Sequence, residues 1–101
     1  MEIIHDAENR TVKTVVDGRV AYVTYVIENG ELDVRHTMVP SEIGGRGIAA
    51  ALVKYIYDYA AEHDLRPVAT CSYAVVWLRR HPEYNGKIGR DYAGAGSCPV
   101  N

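Results

Sequence analysis

Short runs of β-branched and aromatic residues, separated by turn signals, make up most of the first forty positions of the chain. Three such runs occupy residues 11–16, 20–27 and 32–39, with Asp17-Gly18 and Asn29-Gly30 between them. Asp-Gly and Asn-Gly between such runs favour tight hairpin turns. The pattern predicts an antiparallel meander that ends at Pro40, because proline cannot donate to a strand ladder.

After Pro40 the spacing of apolar residues changes to that of a helix. An amphipathic helix is predicted from Arg46 to about His63, because apolar side chains recur three or four residues apart. The residues that set this spacing are Ile48, Leu52, Ile56, Tyr59 and Ala60. We expect this helix to cover the core of the protein.

Two further elements complete the predicted fold. Residues 66–70 form a short strand, and residues 73–80 form a second helix that His81-Pro82 ends. The strands on either side of the long helix need a crossover between them, which makes them parallel neighbours. The predicted class is α+β, with a single mixed sheet made of an antiparallel meander and one parallel strand pair.

The chain is expected to form one domain followed by a tail. Its 101 residues provide for one hydrophobic core, and residues 1–84 contain all the predicted elements. Residues 85–101 hold four glycines, one proline and few large apolar groups. We expect this stretch to be a loosely ordered tail.

Composition and charge narrow the classes of function. A formal charge of −2 gives no broad basic surface for a nucleic acid. No apolar run approaches the roughly 18 residues of a membrane helix, and the acidic start lacks the basic region of a signal peptide. A cytoplasmic protein is therefore expected, without a nucleic-acid or membrane partner.

The cysteines and histidines indicate neither a disulfide scaffold nor a metal site. Cys71 and Cys98 are too few to build a disulfide framework and are expected as free thiols. The four histidines are spread along the chain, without the spacing of a metal site.

The junction between the meander and the long helix carries a glycine-rich loop. Gly44, Gly45 and Gly47 lie between the strand end and the helix. Such a junction aims backbone N–H groups and the positive end of the helix dipole at one point, which forms an anion site. A simple tight turn is the alternative. The loop is no Walker phosphate loop, because that motif needs Gly-Lys-Ser/Thr at the helix start and Gly47 is followed by Ile48.

The loop resembles the coenzyme loop of the GNAT acetyltransferases, which reads Gln/Arg-x-x-Gly-x-Gly/Ala. Gly47 and Ala49 match that pattern, and Gly44 stands where the family has Gln or Arg. The chain is also similar to a very short branch of that superfamily with His-Thr-x-Val-Pro, Cys-Ser-Tyr and His-Pro-Glu-Tyr motifs. These motifs occur here at residues 36–40, 71–73 and 81–84.

The resemblance implies an enzyme that moves an acetyl group from acetyl-CoA to an amine, with no metal. It implies that the strands flanking the long helix splay apart around the pantetheine arm, beside the backbone of Met38 and Val39. The pyrophosphate is then expected on the loop and the start of the helix, at Gly44, Gly45, Arg46, Gly47, Ile48 and Ala49.

Three side chains are candidates for catalysis. Cys71 stands before the second helix, whose N-terminus lowers the pKa of a thiol, so an acyl-cysteine and a buried packing residue are both open. A tyrosine protonates the coenzyme thiolate in many members of the superfamily, which makes Tyr73 and Tyr84 candidates beside a packing role. His36 is a weaker candidate for a proton relay, and a strand-face histidine bonded to a neighbour is favoured.

Other functions remain open at this stage. A non-catalytic acyl-CoA-binding or regulatory module would keep the same cradle without turnover. An RNA-binding sheet is disfavoured, since phenylalanine is absent and the charge is negative. The acceptor amine is undetermined, and the protein is expected to be a monomer or a weak homodimer formed through an exposed edge of the 66–70 strand.

Overall fold

Six strands and two α-helices make up the structure, a computed structural model that describes residues 1–90 and residue 92. The strands are β1 (Ile4–Asp6), β2 (Thr11–Val16), β3 (Arg19–Glu28), β4 (Glu31–Met38), β5 (Arg66–Ala69) and β6 (Lys87–Ile88). The helices are α1 (Ile48–Glu62) and α2 (Ser72–Arg80). The six strands form one mixed sheet in the order β1-β2-β3-β4-β5-β6, and the two helices pack on it.

The predicted meander is confirmed. The three predicted runs form β2, β3 and β4, which pair antiparallel in sequence order, and β1 adds a further antiparallel strand beside β2. At both tight turns the two central residues have positive φ, with Asp17 at 51° and Gly18 at 74°, and Asn29 at 54° and Gly30 at 75°. These angles fit a type I′ turn, whose twist matches that of the flanking strands.

The sheet contains one parallel strand pair more than the sequence predicted. Strand β5 pairs with β4 as expected, and β6 then adds a second parallel pair through Val68–Lys87 and Ala69–Ile88. A strand of two residues is too short to show the alternation of apolar and polar residues by which a strand is predicted from sequence. Because β6 covers β5, the expectation of an exposed β5 edge is wrong.

Helix α1 begins two residues later than predicted. Gly47 has a φ of 74°, in the left-handed region, and is the N-cap residue of the helix. A right-handed helix cannot include that conformation, so Arg46 and Gly47 remain in the loop. Ile48, Leu52, Ile56 and Ala60 are buried, as the spacing indicated. Val53 and Tyr57 are buried as well, whereas Tyr59 is half-buried.

Both helices pack on the same face of the sheet. The ring of Tyr57 on α1 lies 5.7 Å from that of Trp77 on α2, and Leu32 and Val34 of β4 are fully buried in the same core. The opposite face of the sheet, which we call the far face, is covered by no helix within the described residues. No described helix is long and apolar enough to cross a membrane.

The pairing between β4 and β5 ends partway along β4. The last paired residues are Val34 and Ala69, and the amides of Thr70 and Cys71 both donate to the carbonyl of Val34, at 3.0 and 3.1 Å. Arg35 is an extra residue on β4 in its pairing with β3. Such a bulge bends a strand. β4 then runs on to Met38, towards the glycine loop.

Candidate functional site

The glycine loop presents the open N-terminus of α1. Gly45 has a φ of 76° and Gly47 a φ of 74°, and a Cβ added to either would meet no heavy atom within 4 Å. No side chain of the described residues caps α1, and its first turn contains no acidic residue. The loop therefore leaves both space and N–H donors in front of the helix.

An anion fits this arrangement. The first N–H groups of a helix have no partner within the helix, and the dipole adds roughly half a positive charge there. Helix α1 has 15 residues, enough for a developed dipole. Ile48 is buried and fixes the helix start against the core, while the small Ala49 and Ala50 follow it. The loop matches the requirements of a phosphate cradle.

Two cavities continue from the loop along the two helices. The first, the loop cavity, has a volume of about 280 Å³ and is lined by Val39, Gly45, Gly47, Ile48, Ala49, Ala50 and Tyr73. The second, the seam cavity, has a volume of about 350 Å³ and lies between α1 and α2. Ala50 and Tyr73 line both cavities, so together they form one groove.

The seam cavity combines basic groups with an aromatic surface. Lys54 of α1 and Arg80 of α2 line it, together with Trp77 and His81. The ring of His81 stacks on Trp77 with centroids 3.9 Å apart. The ammonium of Lys54 lies 2.7 Å from the carboxylate of Asp58. Such a surface suits a ligand that carries both a flat ring and a negative charge.

Tyr73 is the predicted catalytic side chain that lines the groove. Burial raises the pKa of Tyr73, and the nearby charge of Arg80 opposes that shift. The phenol therefore keeps its proton at neutral pH and remains a proton donor. Its place in the wall shared by both cavities puts this donor beside whatever binds there.

Tyr84 lines neither of these two cavities. Its hydroxyl donates to Oδ1 of Asp58 at 2.7 Å, and its ring lies 4.9 Å from that of Trp77. Burial, followed by the hydrogen bond to Asp58, raises its pKa. These contacts join the segment after α2 to the middle of α1.

Cys71 lies in the core at the end of the β4–β5 ladder. Its side chain is fully buried, and its Sγ is 3.3 Å from Oγ1 of Thr37 on β4. Cys71 is disulfide-bonded in the structure, so the expectation of a free thiol is wrong for this residue. Cys98 and most of the predicted tail lie outside the described residues.

The structure brings together five of the eight predicted coenzyme-binding residues. Val39, Gly45, Gly47, Ile48 and Ala49 line the loop cavity. Met38, Gly44 and Arg46 are not in that lining. The guanidinium of Arg46 instead lies 2.7 Å from the carboxylate of Asp17, in the turn between β2 and β3. His36 is an exposed residue on β4.

The sequence identified Tyr73 as a candidate but did not place Lys54 or Trp77 in a ligand groove. Ala50 and Lys54 are four residues apart on α1, and Tyr73, Trp77 and Arg80 follow at the same helical spacing on α2. This spacing places each set on one side of its helix. The helical spacing could be read from the sequence. Only the packing of the two helices shows that the two sets of residues face each other.

The chain is similar to known proteins over most of its length. The family model of the GCN5-related N-acetyltransferases matches residues 11–87. Protein NATD1 of Xenopus tropicalis is 29% identical over 85 residues, which cover 81% of this chain and 78% of that protein. Protein NATD1 of Homo sapiens is 39% identical over 51 residues, 50% of this chain and 45% of that protein.

A solved structure shares the same fold. The solution structure of a GCN5-like protein from Staphylococcus aureus superposes with a TM-score of 0.68 and 27% sequence identity. The match covers 94% of this chain and 95% of that protein. The α+β mixed sheet with two helices is thus a fold that this family uses.

Proposed function

The chain belongs to the GCN5-related N-acetyltransferase family, and we propose that it transfers an acetyl group from acetyl-CoA to a primary amine. One observation carries this proposal: an uncapped helix N-terminus with open glycines leads into a groove that ends in a basic and aromatic seam. A pyrophosphate fits the loop cavity at the helix N-terminus, and a phosphorylated adenosine fits the seam cavity.

The residues of the groove fit the parts of the coenzyme in order. The pyrophosphate would accept hydrogen bonds from the backbone of Gly45, Gly47 and the first turn of α1. The phosphorylated adenosine would lie along the seam near Lys54 and Arg80. The pantetheine arm would pass Val39 and Met38 towards the place where the β4–β5 ladder ends.

Acetyl transfer from a thioester to an amine requires few catalytic side chains. The amine nitrogen attacks the thioester carbonyl, a C–N bond forms, and the C–S bond breaks with its electron pair on sulfur. The sulfur then takes up a proton, and the nitrogen gives one up. We propose Tyr73 as the proton donor to sulfur, because it stands two residues after Cys71 at the ladder end, lines the groove and is kept protonated by its raised pKa.

A non-catalytic coenzyme-binding module is the second candidate. The observation in its favour is that only Tyr73, of the three predicted catalytic side chains, lines the groove. Such a module would bind acetyl-CoA and release no coenzyme A in the presence of any amine. Turnover, rather than binding, therefore separates the two candidates.

The first prediction concerns coenzyme binding. In Gly47→Glu a carboxylate stands in the phosphate cradle, so we expect acetyl-CoA affinity to fall at least about tenfold through charge repulsion. Gly30→Glu is a matched control: Gly30 has a φ of 75° and equally open space, but lies in the β3–β4 turn. Calorimetric titration measures both variants against the wild type.

Three outcomes of this titration are informative. Loss of affinity in Gly47→Glu alone supports the cradle. Equal losses in both variants would indicate a general effect of the substitution, and absence of binding to the wild type would contradict the proposal. Release of free thiol from acetyl-CoA, followed across a panel of amines, then distinguishes an enzyme from a binding module.

A further inference from the structure

The far face of the sheet contains a third cavity, which the coenzyme groove does not include. It has a volume of about 250 Å³, and we call it the far-face cavity. One wall consists of the outward side chains of β4, among them Glu31, Asp33 and Arg35, and the other wall is formed by β6 and the two residues that follow it. Its lining is mainly polar and charged, unlike the core on the helix side.

Asp33 is the central group of this cavity. Its Oδ2 accepts hydrogen bonds from Oγ1 of Thr70 at 2.9 Å and from Nη1 of Arg35 at 3.1 Å. Its Oδ1 is buried and has no hydrogen-bond partner among the described residues. A buried carboxylate oxygen without a partner is unfavourable by itself. The cavity is therefore lined by a residue with an acceptor atom that lacks a donor.

Gly89 lines the cavity beside the Asp33 carboxylate. A Cβ at Gly89 would lie 2.5 Å from Oγ1 of Thr70 and 3.4 Å from Oδ2 of Asp33. Only glycine lets the chain after β6 approach the Asp33–Thr70 pair this closely. The cavity is smaller than the roughly 300–1,000 Å³ of drug-sized sites, so it suits a small molecule.

The far-face cavity lies next to the place where the β4–β5 ladder ends. Thr70 bonds Asp33 through its side chain on the far face, and its amide donates to Val34 at the ladder end. Cys71 follows Thr70 and faces the core. A ligand at Asp33 would therefore reach the gap between the strands from the side opposite to the two helices.

We propose that the far-face cavity binds the acetyl acceptor, and that this acceptor is a small primary amine whose N–H groups bond Oδ1 of Asp33. This inference rests on the proposed acetyl transfer. Arg35 bonds Asp33, and Lys87 pairs with Glu31, while the atom left without a donor is a carboxylate oxygen. Only an N–H or O–H donor satisfies such an oxygen, and a cationic donor does so most strongly. An amine bound as the ammonium must release one proton before its nitrogen can attack the thioester.

Direct binding tests this proposal without turnover. The probes are n-pentylamine and 1-pentanol, which share a chain length but differ in charge, titrated by NMR into the protein with coenzyme A present and absent. We expect the wild type to bind the amine about tenfold or more tightly than the alcohol. Asp33→Asn should abolish that preference.

Glu62→Gln is the matched control, because it removes the same charge at an exposed position near the end of α1. It should keep the preference for the amine. Equal affinity of the wild type for amine and alcohol, or an unchanged preference in Asp33→Asn, would overturn the proposal. Because coenzyme binding is measured separately, a failure of the coenzyme groove and a failure of this site give different results.

Amide chemical shifts of the wild type locate the bound amine without any variant, so this measurement remains valid if Asp33→Asn fails to fold. Amide shift changes on adding n-pentylamine should centre on Asp33, Thr70 and Gly89. Changes centred instead on the groove between α1 and α2 would place the amine elsewhere and contradict the assignment.

Discussion

Tyr73 and Tyr84 carry the same phenol in different surroundings. Tyr73 is half-buried in the wall between the loop cavity and the seam cavity, where it contacts the proposed coenzyme path. Tyr84 donates its hydroxyl to Asp58 and packs against Trp77. At the scale of the residue, a proton donor needs a hydroxyl that is not already committed to a carboxylate, and this requirement favours Tyr73 over Tyr84.

We predict that Tyr73→Phe lowers kcat for acetyl transfer about 100-fold, within the usual range for loss of a general acid. The affinity for acetyl-CoA should remain within about threefold, because the aromatic ring is retained. Tyr84→Phe is the control. It should keep kcat while the free energy of unfolding falls by about 1 kcal/mol, through loss of one hydrogen bond. Steady-state kinetics and urea unfolding measure these effects, and the reverse pattern would assign catalysis to Tyr84.

The seam between α1 and α2 acts as a unit at the scale of the element. Both helices present one basic residue to the cavity, Lys54 from α1 and Arg80 from α2. Arg79, the neighbour of Arg80, instead lines a separate cavity near β6. Adjacent residues on a helix point about 100° apart, which gives the two arginines different surroundings.

This arrangement predicts a selective effect on the 3′-phosphate of the coenzyme. Arg80→Ala should weaken coenzyme A binding about tenfold, through loss of one charge-assisted hydrogen bond. The same substitution should change the affinity for 3′-dephospho-coenzyme A little. Arg79→Ala should leave both affinities close to those of the wild type. Calorimetric titration of the two ligands provides the comparison, and equal losses for both ligands in Arg80→Ala would argue against a phosphate contact.

His5 of strand β1 contacts side chains of β3 and α1. The Nε2 of His5 lies 2.5 Å from the hydroxyl of Tyr25, and its ring packs edge-on against Tyr59 at 4.7 Å. Burial lowers the pKa of His5 below 6.5; the charge of Asp6 acts in the opposite direction, and that of His63 adds to the lowering. The folded state therefore binds this proton less readily than the unfolded chain.

Stability should consequently decrease as the pH falls. Because the folded pKa of His5 is depressed, its contribution is complete above about pH 6.5, the unfolded value, and is lost as the pH falls from there through the folded pKa. We expect the free energy of unfolding to decrease between pH 7.5 and pH 5, and to decrease less in His5→Gln. Urea unfolding at several pH values measures this difference, and identical pH dependence in both proteins would refute it.

The whole molecule is a sheet with two different faces. The helix face holds the core and the coenzyme groove, whereas the far face holds the cavity around Asp33. The far-face cavity is lined by Arg35, which follows the last paired residue of β4, and the loop cavity is lined by Val39, which follows the end of β4. This arrangement allows the two substrates to bind at the same time, on opposite sides of the sheet.

Simultaneous binding predicts a sequential kinetic mechanism. Direct attack by the amine needs both substrates on the protein, so double-reciprocal plots of initial rate should give intersecting lines when acetyl-CoA and amine are varied. Parallel lines would instead indicate an acyl-enzyme intermediate and would restore Cys71 as the nucleophile. The burial and disulfide bond of Cys71 favour the sequential result.

The sequence by itself determined the features that depend on neighbouring residues. The Asp-Gly and Asn-Gly turns, the helical spacing after Gly47 and the glycine junction are local properties of the backbone, and the meander and both helices followed from them. The motifs at residues 36–40, 71–73 and 81–84 then pointed to the family. The division into residues 1–84 and a tail, and the cytoplasmic location, remain predictions.

Only the tertiary structure decided which distant residues meet. Asp33 and Thr70 are 37 positions apart, and parallel pairing of β4 with β5 brings them together. The addition of β6, the facing sides of α1 and α2, and the contact of Tyr84 with Asp58 likewise arise from packing across the fold. Hydrogen bonding within a turn or helix is encoded locally, whereas a cavity exists only between elements that the complete chain has assembled.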